Sequence, residues 1–282
     1  MNTSISPTIA AYLQRLKLPE KYSHKGQNGK LLIIGGSELF HAASKWSLDV
    51  ASKFVDMVFY SSVPSNNVLV QAAKQEFWNG LVVERENLAD YIDEADCILI
   101  GPGMERSEET TKVTNKLLAK YPEKKWVIDA GALQMMSPEL IPKNSIITPH
   151  AGELERLLGV VARQSLDSPA GPKLNELEPL LAKGTTVLLK GPTDYIYHRN
   201  ELVTVEGGSP GMTKGGTGDV LAGVVAALFC NHDAMTAAVI GSFANKQAGE
   251  ELHSKFGPLF NASDLVHAVP KALWDSFKSF KN

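Results

Sequence analysis

Short apolar runs alternate with stretches of helical periodicity along the first two thirds of the chain. Each run stops at a turn rich in Gly, Pro or Asp, which is typical of buried strands joined by helices. Such alternation predicts a mostly parallel sheet with helices on both faces. The predicted strands span residues 30–34, 55–61, 96–100, 126–129 and 145–148, and the predicted helices span 8–18, 107–120 and 151–158, with a further helix that ends near residue 54.

The pattern changes beyond residue 184. Three short strand-like segments with tight turns, at 185–190, 194–198 and 202–205, predict an antiparallel edge on the sheet. The remainder is apolar at helical spacing and predicts helices at 220–229, 235–252 and 262–273. The expected fold class is therefore α/β, with a mostly parallel central sheet, helices on both faces and an antiparallel edge. Because no linker divides the 282 residues, we expect one domain over 1–282.

The composition of the chain limits the ligands that it can bind and the compartment in which we expect it. A formal net charge of -3 gives no general attraction to nucleic acid, so an anionic ligand needs a local site. The longest apolar run, 220–230, is about half of the roughly 20 residues that span a bilayer, and the first 23 residues lack the pattern of a signal peptide. We expect a cytoplasmic protein that neither binds nucleic acid nor crosses a membrane. Cys97 and Cys230 lie in apolar segments, which predicts buried free thiols.

A glycine-rich stretch before the apolar run at 220 is the strongest candidate for chemistry. Gly215, Gly216 and Gly218 allow positive φ and close approach of a ligand, and the helix that follows directs its first amides at that ligand. Asp219 stands beside this anion cradle, where it can take a proton from an attacking hydroxyl. Such an arrangement is typical of a small-molecule kinase. A second interpretation stays open, because Asp is also a good N-cap and could simply bind the first helical amides.

Other strand ends carry polar residues with two interpretations each. His150 and Glu153 stand three residues apart at a helix start, so both can face one cleft. Glu153 could hold magnesium through water, or only complement the helix dipole. Lys190 ends a strand and could reach a nucleotide, although a lysine at such a place is usually solvated. Asp129 ends another strand and could orient a turn or reach the cleft.

The turns carry a set of motifs that covers most of the chain. They are Leu-Ile-Ile-Gly-Gly-Ser at 32–37, Ile-Gly-Pro-Gly at 100–103, Ile-Asp-Ala-Gly-Ala-Leu at 128–133, Thr-Pro-His-Ala-Gly-Glu at 148–153, Leu-Lys-Gly at 189–191 and the glycine-rich stretch 211–223. Together they resemble the ADP/ATP-dependent NAD(P)H-hydrate dehydratases of the ribokinase-like superfamily. The last three motifs are the most specific. The resemblance implies a ribokinase-like three-layer sandwich.

The resemblance also implies a repair reaction on a damaged cofactor. In this family the S epimer of hydrated NADH or NADPH (NADHX or NADPHX) returns to NADH or NADPH through phosphorylation of the added hydroxyl and loss of phosphate. By resemblance, Asp219 deprotonates that hydroxyl, and the amides of Gly216, Thr217 and Gly218 hold the transferring phosphoryl group. Mg²⁺ would neutralise the phosphates of ADP or ATP. The implied enzyme class is a hydro-lyase.

Binding residues and partners follow from the same resemblance. Ala43, Gly103, His150 and Asp219 would line the hydrated cofactor. The family implies a homo-oligomer, such as a tetramer. Some members carry an epimerase domain, and the residues before Leu31 leave no room for one, so we expect functional pairing with a separate epimerase. The residues that would contact the adenine nucleotide are Lys190, Gly191, Pro192, Thr193, Asp194 and Gly218.

The chain departs from the family pattern on the substrate side. Met104 and Glu105 stand where the family has a glycine, and Gly131 stands where it has an aspartate. The phosphate side is intact, so nucleotide binding is better supported than the identity of the substrate. Two alternatives stay open: a ribokinase-like kinase that phosphorylates a hydroxymethyl-pyrimidine, a thiazole or a sugar alcohol, and a catalytically weakened nucleotide-binding member. Asp219 argues against the second, since a binder has little use for an acid beside phosphates.

Overall fold

One sheet organises the computed structural model, which describes residues 5–77, 79–159 and 172–281. Its strands are β1 (Lys30–Ile34), β2 (Met57–Ser61), β3 (Leu81–Val82), β4 (Cys97–Ile100), β5 (Lys125–Ile128), β6 (Ile146–Ile147), β7 (Thr186–Leu189), β8 (Asp194–His198) and β9 (Glu201–Val205). Their order across the sheet is β3-β2-β1-β4-β5-β6-β7-β8-β9. The strands from β3 to β7 pair in parallel, and β8 and β9 pair antiparallel. The mostly parallel sheet and the antiparallel edge are thus confirmed.

Helices cover both faces of the sheet. They are α1 (Pro7–Leu13), α2 (Ala42–Ala51), α3 (Pro64–Ala73), α4 (Leu88–Glu94), α5 (Glu108–Lys120), α6 (Ala130–Met135), α7 (Ala151–Leu158), α8 (Glu178–Leu181), α9 (Thr217–Asn231), α10 (Ala234–Phe256) and α11 (Ala262–Lys281). None of these described helices combines the length and the apolar character that a membrane crossing requires.

The sheet separates two hydrophobic cores. Successive strand residues point to opposite faces, so Leu31 and Ile33 of β1 pack with α2, α9 and α10. Leu32 and Ile34 pack on the other side with α4, α5, α6 and α7. Because such strands are buried on both faces, each appears in the sequence as a continuous apolar run.

The structure places most predicted elements within a few residues of their expected bounds. The helix predicted at 8–18 ends at Leu13, although Leu16 still packs on the core. The last helix continues to residue 281, because Phe277 in its extra turns is also buried. α3, α4, α6, α8 and β3 were not predicted, because four of them have seven residues or fewer and α3 buries only one apolar side chain, Val70. Cys97 and Cys230 are buried and free, as expected.

One edge of the sheet collects the loops that carry the sequence motifs. Parallel strands end on the same edge, so the loops after β1, β4, β5, β6 and β7 lie together there. α9 begins at this edge too, because a Cβ atom added to Gly218 would lie 3.5 Å from Nζ of Lys190, the residue after β7. The motifs therefore converge on one place.

Candidate active site

The first turn of α9 forms the centre of this place. Its N-cap is Gly216, which has a left-handed backbone with φ of 98°. A Cβ atom there would lie 2.3 Å from the ring of Trp46, so glycine meets both the conformational and the steric demand. Gly216 has no side chain with which to cap the helix start, and Thr217 and Gly218 line a cavity beside it. The positive end of the helix dipole therefore faces a space that a ligand can enter.

Asp219 is the third residue of α9. The interpretation of Asp219 as an N-cap is wrong, because Gly216 occupies that position. Burial raises the pKa of Asp219 to about 7, the charge of Asp129 raises it as well, and the charge of Lys190 lowers it. A base with a pKa near the working pH is suited to proton transfer. Ser47 Oγ donates to the Asp219 carbonyl oxygen at 2.8 Å, which ties the start of α9 to α2.

The buried Asp129 and the half-buried Lys190 form an ion pair beside this acid. Lys190 Nζ donates to Asp129 Oδ1 at 2.7 Å, and the two side chains, in that order, are 19% and 2% exposed. Burial lowers the pKa of Lys190, but the charge of Asp129 and of two further carboxylates outweighs it, and the net shift is upward. Lys190 is therefore a charged group held at the start of α9, and not a solvated strand end. Asp129 contacts Lys190, which lines the cavity, and whether Asp129 itself reaches the cleft stays a prediction.

His150 and Glu153 form a reciprocal capping box at the start of α7. The His150 backbone N–H donates to Glu153 Oε2 at 2.9 Å, and the Glu153 backbone N–H donates to His150 Nδ1 at 3.3 Å. Gln134 Nε2 donates to Glu153 Oε1 at 2.7 Å. A β-bridge joins His150 to Lys190, so the capping box adjoins the ion pair. Glu153 thus serves its helix, and its magnesium role stays a prediction.

Two of the predicted substrate residues, Ala43 and Gly103, lie next to each other, and the substrate role of the set stays a prediction. A Cβ atom on Gly103 would lie 3.1 Å from the Ala43 Cβ and 3.2 Å from the Gly36 Cα. Ser47 follows Ala43 by one turn of α2 and donates to the Ala43 carbonyl as well as to that of Asp219. The helix that carries Ala43 is therefore joined to the first turn of α9 through the Asp219 backbone carbonyl. His150 lies beside Lys190 through the β-bridge, and its side chain is 57% exposed.

A cavity of about 510 Å³ opens beside the first turn of α9. The predicted nucleotide contacts line it, except Thr193, which lies outside its wall. Its other walls come from the loop between β9 and α9, from Leu221 of α9 and from Asn245 and Lys246 of α10. The predicted residues in the wall are Lys190, Gly191, Pro192, Asp194 and Gly218.

Asp194 holds the turn between β7 and β8. Its carboxylate accepts from the Gly191 N–H at 2.9 Å and from Ser242 Oγ at 2.7 Å, and lies 3.5 Å from Lys246 Nζ. Burial raises the pKa of Asp194 even though Lys246 opposes the shift. These contacts shape the cavity wall, and contact of Asp194 itself with a nucleotide stays a prediction.

A comparison with protein families identifies the family of this chain. The family model described as NAD(P)H-hydrate dehydratase matches residues 31–271. The chain belongs to this family. Among curated relatives, the ADP-dependent (S)-NAD(P)H-hydrate dehydratase of Nitrosopumilus maritimus is 33% identical, and the match covers 93% of this chain and 95% of that protein.

Other relatives are longer than this chain. The bifunctional NAD(P)H-hydrate repair enzyme Nnr of Methanocaldococcus jannaschii is 34% identical over 93% of this chain, but the match covers 51% of that protein. The chain thus spans about half the length of several relatives that it matches. A ribokinase-like superfamily protein from Enterococcus faecalis has the same fold, with a TM-score of 0.81 and 23% identity over 96% of this chain and 94% of that one.

Two departures from the dehydratase family pattern are in direct contact. A Cβ atom on Gly131 would lie 2.0 Å from the carbonyl oxygen of Met104 and 2.9 Å from its Cβ. The loop at Met104 therefore occupies the space that a side chain at position 131 would need. With the backbone as it is here, any side chain at position 131 would clash with the Met104 backbone. The place of the two departures on the substrate side stays a prediction, and the glycine-rich stretch before α9 keeps the family pattern.

Sequence reasoning missed several residues that build the site. Lys246 is buried, and its ammonium donates to the carbonyls of Gly191, Pro192 and Gly207 at 3.0, 2.8 and 3.4 Å. A lysine inside an apolar helix was the available signal, because a buried lysine needs partners. Ser47 gave no such signal, since its partner is 172 positions away.

Proposed function

We propose that the chain catalyses the ADP- or ATP-dependent dehydration of the S epimer of NADHX and NADPHX to NADH and NADPH. The observation that carries this proposal is the Asp219 carboxyl, whose pKa is raised to about 7 and which lies in the first turn of α9, next to Gly218 in the wall of the nucleotide cavity. The family match and the name of the Nitrosopumilus maritimus relative support the same activity.

The chemistry follows from this placement. Asp219 removes the proton of the added hydroxyl while that oxygen attacks the terminal phosphorus of the nucleotide. The bond between the terminal phosphorus and its bridging oxygen breaks, and that oxygen keeps the electron pair as the shortened nucleotide departs. The amides at the start of α9 and the Lys190 ammonium stabilise the charge on the transferring phosphoryl group. Phosphate then leaves with the hydroxyl oxygen, a neighbouring ring carbon loses a proton, and the ring double bond is restored.

Magnesium fits the residues around the ion pair. Glu153 is 5% exposed and supplies two carboxylate oxygens that each accept one hydrogen bond, which leaves lone pairs for a hydrated cation. Mg²⁺ prefers oxygen ligands and retains water, so Glu153 would hold it through water. When bound, the ion neutralises charge on the nucleotide phosphates.

The test is absorbance in the reduced nicotinamide band after the protein is mixed with NADHX, Mg²⁺ and either ADP or ATP. We expect recovery of NADH that needs the nucleotide and stops with Asp219→Asn. The name of the relative favours ADP as the first choice. If a phosphorylated ester accumulates and no NADH returns, the chain is a kinase, and the dehydration is refuted.

Pairing with a separate epimerase belongs to the same proposal. An enzyme that accepts only the S epimer leaves the R epimer behind. With a mixture of both epimers we expect recovery to stop when the S epimer is consumed and to resume when an epimerase is added. Complete recovery from this chain alone would refute the pairing. Assembly into a homo-oligomer stays a prediction.

A further inference from the structure

The indole ring of Trp46 packs against the N-cap of α9. A Cβ atom added to Gly216 would lie 2.3 and 2.5 Å from two carbon atoms of this ring and 2.7 Å from the Ala262 Cβ. Gly216 therefore lies between α2, which carries Trp46, and the start of α11, which carries Ala262. Because protein interiors are closely packed, contacts on both sides restrict the left-handed backbone of Gly216 to one position.

A hydrogen bond holds the Trp46 ring in this place. Its Nε1 atom donates to Ser263 Oγ at 2.9 Å, across 217 positions of the chain. Ser263 is itself fixed, because its backbone N–H donates to Asn261 Oδ1 at 2.8 Å, and the Asn261 N–H donates to Asp264 Oδ2 at 2.9 Å. Indole has a single N–H donor, so this bond and the contact with Gly216 together define where the ring lies.

The segment before α11 also holds the residue two positions before Gly216. Lys214 Nζ donates to the Phe260 carbonyl at 2.7 Å and to the Pro258 carbonyl. Gly216 has no side chain that could form such a bond. Its position therefore depends on packing, and the Trp46 ring supplies one side of that packing.

We propose that Trp46 is a positioning residue for phosphoryl transfer, which holds Gly216 so that the amides at the start of α9 point at the transferring phosphoryl group. The inference rests on the proposed function, because it names a support of that same site. Oriented amides stabilise the charge of the transition state, so a displaced loop lowers the rate more than it weakens nucleotide binding. Trp46 acts through Gly216.

Steady-state kinetics with NADHX, ADP and Mg²⁺ test this role. Trp46→Leu leaves space beside Gly216, and we expect kcat to fall at least about tenfold while KM for ADP changes by less than about threefold. Trp46→Phe keeps an aromatic ring there and should have a kcat within about threefold of the wild type. The matched control is Trp274→Leu, because Trp274 is 48% exposed and stacks on Phe277 of its own helix. This control should leave kcat unchanged.

Phosphorus NMR of bound ADP tests the same placement without turnover. In Trp46→Leu the signal of the terminal phosphorus should move from its wild-type position, because the amides around it are displaced. Trp274→Leu should not move it. A double variant tests the contact itself: Trp46→Leu removes the ring that the methyl group of Gly216→Ala would meet. The double variant should therefore lose less unfolding free energy than the two single variants together.

The outcomes separate the two proposals. If ADP binds and no NADH returns, the proposed function fails, and the phosphorus signal and the double variant still test Trp46. An unchanged kcat and phosphorus signal in Trp46→Leu would overturn the assignment, as would a Trp46→Phe as slow as Trp46→Leu or additive losses in the double variant. If no adenine nucleotide binds, both proposals fail. Thermal unfolding shows whether Trp46→Leu is folded; if it is not, Trp46→Met takes its place with the same expected results.

Discussion

Asp219 shows how environment gives a common residue an uncommon property. The carboxyl group of an aspartate in water has a pKa far below 7. Burial at the start of α9 and the neighbouring charge of Asp129 raise the pKa of Asp219 to about 7. The sequence placed Asp219 beside a glycine loop and so predicted its role. The raised pKa depends on Asp129, which is 90 positions away in the chain.

Asp219→Asn tests the role of this carboxyl directly. The amide has the same shape and cannot accept the proton, so we expect turnover to fall by about 10²–10⁴-fold while nucleotide affinity changes little. Steady-state kinetics and calorimetry measure the two quantities. Asp90→Asn is a matched control, because Asp90 is also the third residue of its helix and is exposed. An unchanged rate in Asp219→Asn would remove Asp219 from the mechanism.

The ion pair sets the pH dependence of the site. Asp219 acts as the deprotonated base, so the rate should fall as the pH drops below about 7. Asp129→Asn removes a charge that raises the pKa of Asp219, and the acid limb should move to lower pH by about one unit. Lys190→Met removes a charge that lowers this pKa, and the limb should move to higher pH.

Profiles of kcat/KM against pH measure these shifts. A loss of stability alone gives no reason for the two variants to move in opposite directions. Shifts in the same direction would contradict the arrangement of charges described here.

At the scale of elements, α9 begins at the candidate active site and continues into the hydrophobic core. Nearly all its residues after the first turn are buried, which explains why its apolar run was easy to recognise. α6 was harder to recognise, because it is a single short helix that begins at Ala130 with a φ of 43°. A positive φ is uncommon for a residue other than glycine, so local sequence preferences do not predict this helix start.

Two adjacent glycines, Gly215 and Gly216, precede α9, and Gly216 is the one whose backbone and surroundings exclude a side chain. In Gly216→Ala the methyl group meets both a left-handed backbone and the Trp46 ring, so we expect a loss of about 2–4 kcal/mol in unfolding free energy and weaker nucleotide binding. A Cβ atom added to Gly215 would meet only open space, and Gly215→Ala should change stability by less than about 0.5 kcal/mol. Denaturant unfolding compares the two, and equal losses would show that the position of the Trp46 ring does not constrain the loop.

At the scale of the whole molecule, the nucleotide cavity joins separate parts of the fold. Its wall includes the turn between β7 and β8, the loop before α9, and both α9 and α10. A ligand there binds the folded chain and not the unfolded one. At a concentration about 100 times Kd, ADP should stabilise the protein by about 2.7 kcal/mol, which corresponds to roughly 5 °C in Tm. Differential scanning calorimetry measures it against the same concentration of inorganic phosphate, and no shift would contradict adenine-nucleotide binding in this cavity.

The sequence by itself determined the sheet, its antiparallel edge, the main helices and the glycine loop before Asp219. Those features depend on local periodicity and on glycine conformation, which are visible in short segments. Only the tertiary structure decided which distant groups meet: the pairing of Lys190 with Asp129, the contact of Gly131 with Met104, and the positions of Lys246 and Asn245 in the cavity wall. The physical reason is that pKa values, burial and steric fit depend on distances through space, and separation along the chain does not set those distances.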